Sequence, residues 1–520
     1  MNISGSNFNS TIFPNYSSSD SDFTSPDSSP LRCDPRHICY IRDNILDFLA
    51  EDIPGFKVVR QLNNRNRALA PRAIKNLAIT QPEGFSRFFD PEKKLTEQPA
   101  RPTHLTLRFP VSTEQLRFLP DSITHIDFAC RGFFPRTFRV EFLDVLAQRC
   151  PNIQSMSLRR NQLTADAVAV LQKFEKLTAL DLTGCYIGNE GMKAVAKLPN
   201  LTSLNVGRCD IGVEGVKELS KLLNLSTLDV SDNLIGSAGA AEVAKLLGLT
   251  VLNMSGTVIG ADGVMALAAL PVLRTLDLSN NILFGVNATA LEKFDKLSCL
   301  KLARCDIKGQ IPMNIAKLEN LSELNLANNE IGPEGLKELV KLPKLSNLNL
   351  SANKLGHAAT QEVAKILTLT ALDLSNDMYR RDSPRSSDNK LDYEALAELA
   401  KLPQLSVLDL SRNAIDHSLA AALTRFAHLS TLKLVKCSIR DQEVAELVKF
   451  NIGDQERTER GQFPSFSTLD LSNNLIGDEG VTLLVKRGNV ATLILHENSD
   501  ITAAHIEEVR AVWNTPQIDI

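Results

Sequence analysis

Leu177, Leu201, Leu225, Leu249, Leu273, Leu297, Leu321, Leu345 and Leu369 follow one another every 24 residues, and Ile153 extends the series one step back. Each opens the same phrase, as in Leu177-Thr-Ala-Leu-Asp-Leu-Thr-Gly-Cys-Tyr-Ile187 or Leu225-Ser-Thr-Leu-Asp-Val-Ser-Asp-Asn-Leu-Ile235. After two interruptions the phrase resumes at Leu405, Leu429, Phe466 and Val490, which makes fourteen copies. One unit of this length cannot bury its own apolar edge. It does so only against the next copy, so the chain must stack rather than collapse into a globule.

The pattern L-x-x-L-x-L-x-x-[N/C/T]-x-[I/L] is that of leucine-rich repeats. In each copy a short Leu-x-Leu strand turns both leucines inward and leaves the residue between them on the open face. Ile-Gly follows the turn (Ile187-Gly188, Ile235-Gly236, Ile331-Gly332), and a second glycine (Gly191, Gly215, Gly239, Gly263, Gly335) opens a helix such as Met192–Leu198 or Leu336–Leu342. The expected fold class is α/β: a leucine-rich-repeat solenoid, or horseshoe, with a parallel concave sheet and short convex helices, preceded by a small helical domain. Hydrophobic content of 43% with only 5% aromatics suits a core of small repeated aliphatic layers.

A net charge of −4 provides no global positive field for phosphates, so nucleic acid is not the expected partner. No apolar run approaches the ~18 residues that a membrane-spanning helix needs, and no hydrophobic signal core follows Met1. No membrane partner is expected, and without secretion the chain would be cytoplasmic. Of nine cysteines, Cys185, Cys209, Cys305 and Cys437 take the ninth repeat position, where Asn161, Asn233, Asn281, Asn329, Asn353, Asn413, Asn474 and Asn498 sit in other copies. A thiol there acts as a small, weak donor to backbone carbonyls, a structural role set against the alternatives of metal or redox chemistry.

Five regions follow. Residues 1–30 hold ten serines and no Lys or Arg, a composition that stays disordered; it reads as a plain tail or as a type III secretion signal. Residues 31–95 carry apolar residues at helical spacing (Ile38, Ile41, Ile45, Leu46, Leu49; then Phe56, Val59, Leu62, Leu69) and read as a small helical domain. Residues 96–152 are degenerate capping repeats, with Ile123, Ile126 and Phe128 echoing the strand and Phe142, Leu143, Leu146 and Ala147 the helix. Residues 153–500 are the repeats, with rim insertions at 377–388 and 451–465. Residues 501–520 form a C-terminal cap, in which Ile506, Val509, Val512 and Trp513 cover the last layer.

The open-face residue runs Ser157, Asp181, Asn205, Asp229, Asn253, Asp277, Lys301, Asn325, Asn349, Asp373, Asp409, Lys433, Asp470, Ile494. Basic residues gather at Arg159, Arg160, Arg208, Lys301, Arg304, Arg412, Lys433 and Lys436. They read either as cross-strand neutralisation, Lys301 beside Asp277 and Lys433 beside Asp409, or as a mixed-charge track for a partner protein on the concave face. No P-loop, H-E-x-x-H, G-x-S-x-G or C-x-x-C motif occurs, and about twenty residues follow the last strand phrase, which leaves no expected catalytic domain downstream. The chain therefore reads as a non-enzyme without cofactor or metal. An enzyme built around Cys33, His37 and Cys39 is the remote rival.

The units Gly239-Ala-Ala-Glu-Val-Ala244, Gly263-Val-Met-Ala-Leu-Ala268 and Gly191-Met-Lys-Ala-Val-Ala196 resemble those of the GALA-type leucine-rich-repeat effectors of plant-pathogenic bacteria. That family places an F-box before its repeats. The corresponding segment here is 34–70, where Ile45, Leu46 and Leu49 match its first helix, Ile53 its acidic-apolar step, and Val59 with Arg60 the stretch beyond. The resemblance implies a bacterial type III effector that enters the host cell. Its segment 34–80 would dock on a Skp-type adaptor of a cullin ubiquitin ligase while the repeats hold the host target. The rival is a repeat protein without F-box activity, its N-terminal helices only capping the solenoid.

Overall fold

The computed structural model describes residues 76–79, 89, 102–107, 109, 111–128, 137–283, 291, 293–307, 313–376, 389–449, 466–487, 490–512 and 517–519. The Ser-rich tail, the helices expected before residue 76, Ile45, Leu46, Leu49, Ile53, Val59, Arg60, the Cys33–Cys39 cluster and both insertions lie outside those residues. By internal contacts the chain divides into Met1–Arg65 and Asn66–Ile520, and the described residues all belong to the second unit.

Among the described residues the repeat phrase supplies fourteen strands of one eighteen-stranded sheet. Its strands pair in parallel and in sequence order, Ala179–Asp181 beside Ser203–Asn205 beside Thr227–Asp229, with Leu180, Leu204 and Leu228 in line. The register is fixed by the leucines: a slip of one residue would turn every inward side chain to water. Leu177, Leu180, Leu182, Ile187, Met192, Val195 and Leu198 are all buried, and the same set recurs copy after copy to make one continuous core.

Fourteen strands are those of the repeat phrase. The echo at Ile126 is also realised, as the strand His125–Asp127. Three further strands, Asn76–Ile79, His104–Leu107 and Gln517–Asp519, lie outside the repeat phrase. Within 31–95, which reads as a small helical domain, Asn76–Ile79 is a strand paired with His104–Leu107, its Leu77 and Ile79 buried. At the other end Gln517–Asp519 pairs with Val490–Ile494, so the terminal cap adds a strand after its helix Ala503–Val512. Both extra pairings occupy sheet edges, where bare N–H and C=O groups recruit even short segments without a leucine phrase.

Opposite the sheet lie short helices, among them Gly188–Val195, Val213–Leu219, Gly236–Val243 and Ala261–Leu267. The helix glycines answer close packing: a Cβ on Gly191 would stand 2.5 Å from Ile187 Cβ, and one on Gly239 2.6 Å from Ile235 Cβ. Exposed Lys–Glu pairs three residues apart, such as Lys193–Glu190 and Lys217–Glu214, line the outer helix faces and contribute little to stability. Strands repeat at ~4.8 Å whereas a helix with side chains needs ~10 Å, so the sheet side is the concave one.

Candidate binding face

The acidic and amide ladder of the open face has a structural cause. In each such copy one side-chain oxygen folds back to accept the N–H two residues on: Thr183 N–H to Asp181 Oδ1 at 3.0 Å, Gly207 to Asn205 at 3.0 Å, Ser231 to Asp229 at 2.9 Å, Ser279 to Asp277 at 2.9 Å, Ser411 to Asp409 at 3.0 Å. This Asx turn stops the strand after three residues and starts the bend. The second oxygen, or the amide, serves the neighbouring copy, as where Asn253 Nδ2 donates to Asp229 Oδ2 at 2.9 Å and Asn349 Nδ2 to Asp373 Oδ2 at 2.8 Å. Burial and the neighbouring Asp409 raise the Asp373 carboxyl above its usual range, against the Ser375 hydrogen bonds and Lys433.

Lys301 and Lys433 break this rule, having no oxygen to offer. The N–H groups they leave behind are taken over by a serine of the preceding copy: Ala303 N–H donates to Ser279 Oγ at 3.2 Å and Val435 N–H to Ser411 Oγ at 3.3 Å. Elsewhere the same serine turns back on its own aspartate, as Ser375 and Ser472 do at 2.6 Å. These two serines escape a reading of the open-face row alone. Their signal is an Asp-x-Ser followed one copy later by a lysine. Lys433 lies in register between Asp409 and Asp470 and pairs with Asp409 at 3.7 Å; Lys301 lies between Asp277 and Asn325.

The other basic residues separate into two groups. Arg159 reaches Asp127 at 3.7 Å and Asp181 at 3.6 Å across neighbouring strands. Arg160, Arg208, Arg304, Arg412 and Lys436 stand one residue later, at the turn edge of the sheet, all with φ between 54° and 66°. A non-glycine residue in this left-handed conformation is disfavoured. It is held here by backbone bonds to the next copy, such as Arg208 N–H to Ser231 O at 2.9 Å and Arg412 N–H to Val435 O at 2.8 Å. Arg208 also pairs with Asp232 at 2.8 Å. Arg159, Arg208 and Lys433 are each within ion-pair distance of a carboxylate, and the basic set spans both the open face and its edge.

The ninth position fixes the shape of that edge. Asn329 is buried; its Nδ2 donates to Leu302 O, Leu326 O and Ala327 O at 2.8, 2.9 and 3.2 Å, and its Oδ1 accepts from Cys305 N–H and Ile307 N–H at 3.0 and 3.1 Å. The residue between these two N–H groups, Asp306, sits in the left-handed region at φ 55°. Asp210, Val258, Lys354 and Ser438 sit in the same way between two N–H groups held by Asn233, Asn281, Asn389 and Asn474. Where the next copy carries Cys or Thr instead, a backbone carbonyl takes over, as in Gly188 N–H to Cys209 O and Gly236 N–H to Thr257 O, both at 2.9 Å.

The thiols at this position donate to carbonyls, Cys209 Sγ to Leu182 O at 2.9 Å and Cys185 Sγ to Leu158 O at 3.0 Å. Burial pushes Cys185, Cys305 and Cys437 up to about 12 and Cys209 up to about 11. Buried and protonated, these thiols serve the turn as small donors to backbone carbonyls. Among the described residues no group of three His, Cys, Asp or Glu side chains could hold a metal ion, and no helix is long and apolar enough to cross a membrane.

A family model described as Leucine Rich repeat matches residues 175–196, 197–220, 221–244, 249–268, 317–340 and 464–485. The fold is a leucine-rich-repeat solenoid. Among solved structures, the leucine-rich-repeat chain is similar to an internalin (inlF) from Listeria monocytogenes str. 4b F2365, at 20% identity over 70% of this chain and 91% of that one, with a TM-score of 0.43. No curated protein matches.

Proposed function

We propose that the solenoid is a scaffold whose concave face holds a protein partner, with Lys301 and Lys433 as the charged contacts. The observation that carries this reading is the pair of takeovers by Ser279 and Ser411. At those two copies alone among Asp277–Asp470 the open-face side chain has given up its part in the turn, and a neighbour maintains the bend. The two lysines stand five strands apart, ~24 Å, which suits carboxylates at two places on a folded protein surface rather than a small ligand. Capture from a eukaryotic lysate with the full chain, compared with the Lys301→Glu/Lys433→Glu double variant, tests it. The main captured protein should vanish with the variant; identical capture would sink the assignment.

The finer reading is that the chain is a bacterial type III effector acting in host cytoplasm as an F-box-like substrate adaptor, with segment 34–80 on a Skp-type adaptor. It is supported by the likeness of the repeat units and of Ile45, Leu46, Leu49, Ile53, Val59 and Arg60 to the GALA pattern. Calorimetric titration of the full chain with a Skp-type adaptor tests docking, and no heat at about 50 µM would remove it. The strand Asn76–Ile79 favours the rival in which the end of the N-terminal segment caps the sheet. On that rival, deletion of 31–95 lowers stability and leaves target capture intact.

A further inference from the structure

A second row runs along the edge where the chain leaves the sheet. The tenth residue of successive copies reads Tyr186, Asp210, Leu234, Val258, Ile282, Asp306. Leu234, Val258 and Ile282 are 79%, 64% and 74% exposed, on three adjacent copies, and Asp210 and Asp306 are exposed at either end. Among the described residues this position elsewhere carries Gln162, Tyr186, Glu330, Lys354, Lys390, Ala414, Ser438, Leu475 and Ser499, so large exposed apolar side chains recur singly at Tyr186 and Leu475 but on three adjacent copies only here. Val258 stands out further. At φ 59° it is a β-branched residue in a conformation such residues rarely take, and its side chain is not packed away in return. Solenoid stability accounts for none of the three apolar side chains.

We propose that Leu234, Val258 and Ile282 form a docking strip for an amphipathic helix of a partner protein, its apolar stripe on these three side chains and a basic residue at each end, over Asp210 and Asp306. Spacing selects the helix. Around Leu234 the neighbouring copies are tied by Asp232 N–H to Ser255 O at 2.7 Å and Gly236 N–H to Thr257 O at 2.9 Å. Around Ile282 the ties are Asn280 N–H to Ala303 O at 2.7 Å and Leu283 N–H to Cys305 O at 3.1 Å. The strip residues therefore recur at the strand interval of ~4.8 Å. A helix presents one residue of a given face every ~5.4 Å, whereas an extended chain does so only every ~6.8 Å. Over the four intervals from Asp210 to Asp306 a helix drifts by about 2 Å and an extended strand by about 8 Å.

Charge selects the ends. Acids at both termini of the strip attract lysine or arginine one turn beyond the apolar stripe. They also oppose a second copy of this chain, because a two-fold pairing of the strip with itself would set Asp210 against Asp306. The strip uses none of the residues assigned to the concave face, so its test is independent of that assignment.

The test is fluorescence anisotropy with the full chain and a labelled helical peptide carrying leucines at i, i+4 and i+7 and lysines at i−4 and i+11. A twin peptide has glutamates at both ends. The lysine peptide should bind. Val258→Asp, the residue that Asp210 and Asp306 already show the turn accepts, should weaken it about tenfold, as loss of a central apolar anchor does. The glutamate twin should bind about fivefold more weakly, with the difference shrinking in high salt. Equal binding of the twins would overturn the proposal, as would unchanged binding by a Val258→Asp chain of wild-type circular dichroism. So would a wild-type chain that sediments as a dimer and becomes a monomer on Val258→Asp, since a second copy would then hold the strip.

Discussion

Replacing Asn329 by alanine should cost about 4 kcal/mol. The side chain is 2% exposed and makes five hydrogen bonds, all to backbone. Deletion orphans the N–H groups of Cys305 and Ile307, each at ~1–3 kcal/mol when buried, and takes a donor from Leu302 O and Leu326 O. Ala327 O and Leu326 O suffer less, because Arg304 N–H still donates to the first at 2.9 Å and Asn353 Nδ2 to the second at 2.8 Å. Asn329→Cys should cost about half as much: the thiol regains one carbonyl, as Cys305 Sγ reaches Leu278 O at 3.2 Å, but accepts no N–H. Urea unfolding followed by circular dichroism measures the series, with Asn320→Ala as control. That exposed amide makes one backbone bond, to Asp295 O, and its loss should stay under ~1 kcal/mol. Since repeat arrays can unfold in parts, amide exchange at Cys305 and Ile307 supplies the local reading. If Asn329→Ala costs no more than Asn320→Ala, with both amides still protected, the ladder does not shape the turns as argued.

Ser279→Ala should destabilise by ~1 kcal/mol in the native chain but scarcely at all beside Lys301→Asn, which restores an oxygen for Ala303 N–H; a double-mutant cycle without coupling would refute the takeover. Val258→Asn should raise the urea midpoint by ~1 kcal/mol of stability, because asparagine tolerates the left-handed turn; an unchanged midpoint would show that Val258 is not strained. The native thiols Cys185, Cys209, Cys305 and Cys437 should resist a thiol-specific chromogenic reagent at pH 8, and rapid labelling would contradict their burial. Their pKa values are raised on folding, so between about 8.5 and about 12 the native state binds more protons than the unfolded one. Stability should therefore fall as pH climbs through that window, and Cys305→Ser should flatten the fall.

The solenoid could be read from the 24-residue period because each inward leucine recurs in one place and no other packing satisfies them all. The flanking strands could not. Asn76–Ile79 and Gln517–Asp519 lack the phrase and exist because an open sheet edge accepts almost any extended segment. The open-face row was visible as residues but not as chemistry: Asp181 and Asn205 look like a polar binding surface until their oxygens are seen closing the turn. Arg160, Arg208, Arg304, Arg412 and Lys436 follow the strand by only three positions in sequence, yet the left-handed backbone places them at its edge. Leu234, Val258 and Ile282 occupy the unspecified tenth position of the pattern, beside the consensus [I/L], and it is their exposure that sets them apart from that inward neighbour.

At Asp210, Val258, Asp306, Lys354 and Ser438 the bend of one copy is tied to the asparagine of the copy that follows it. A duplicated or excised unit would accordingly leave its own loop intact and remodel the one upstream of the junction, putting asparagine's tight form in place of the backbone-tied one or the reverse. Recombination between units is thus not neutral for the molecule's outline. Shuffling those copies would redraw the edge one step ahead of the seam, while the leucine layers beneath stayed unaltered.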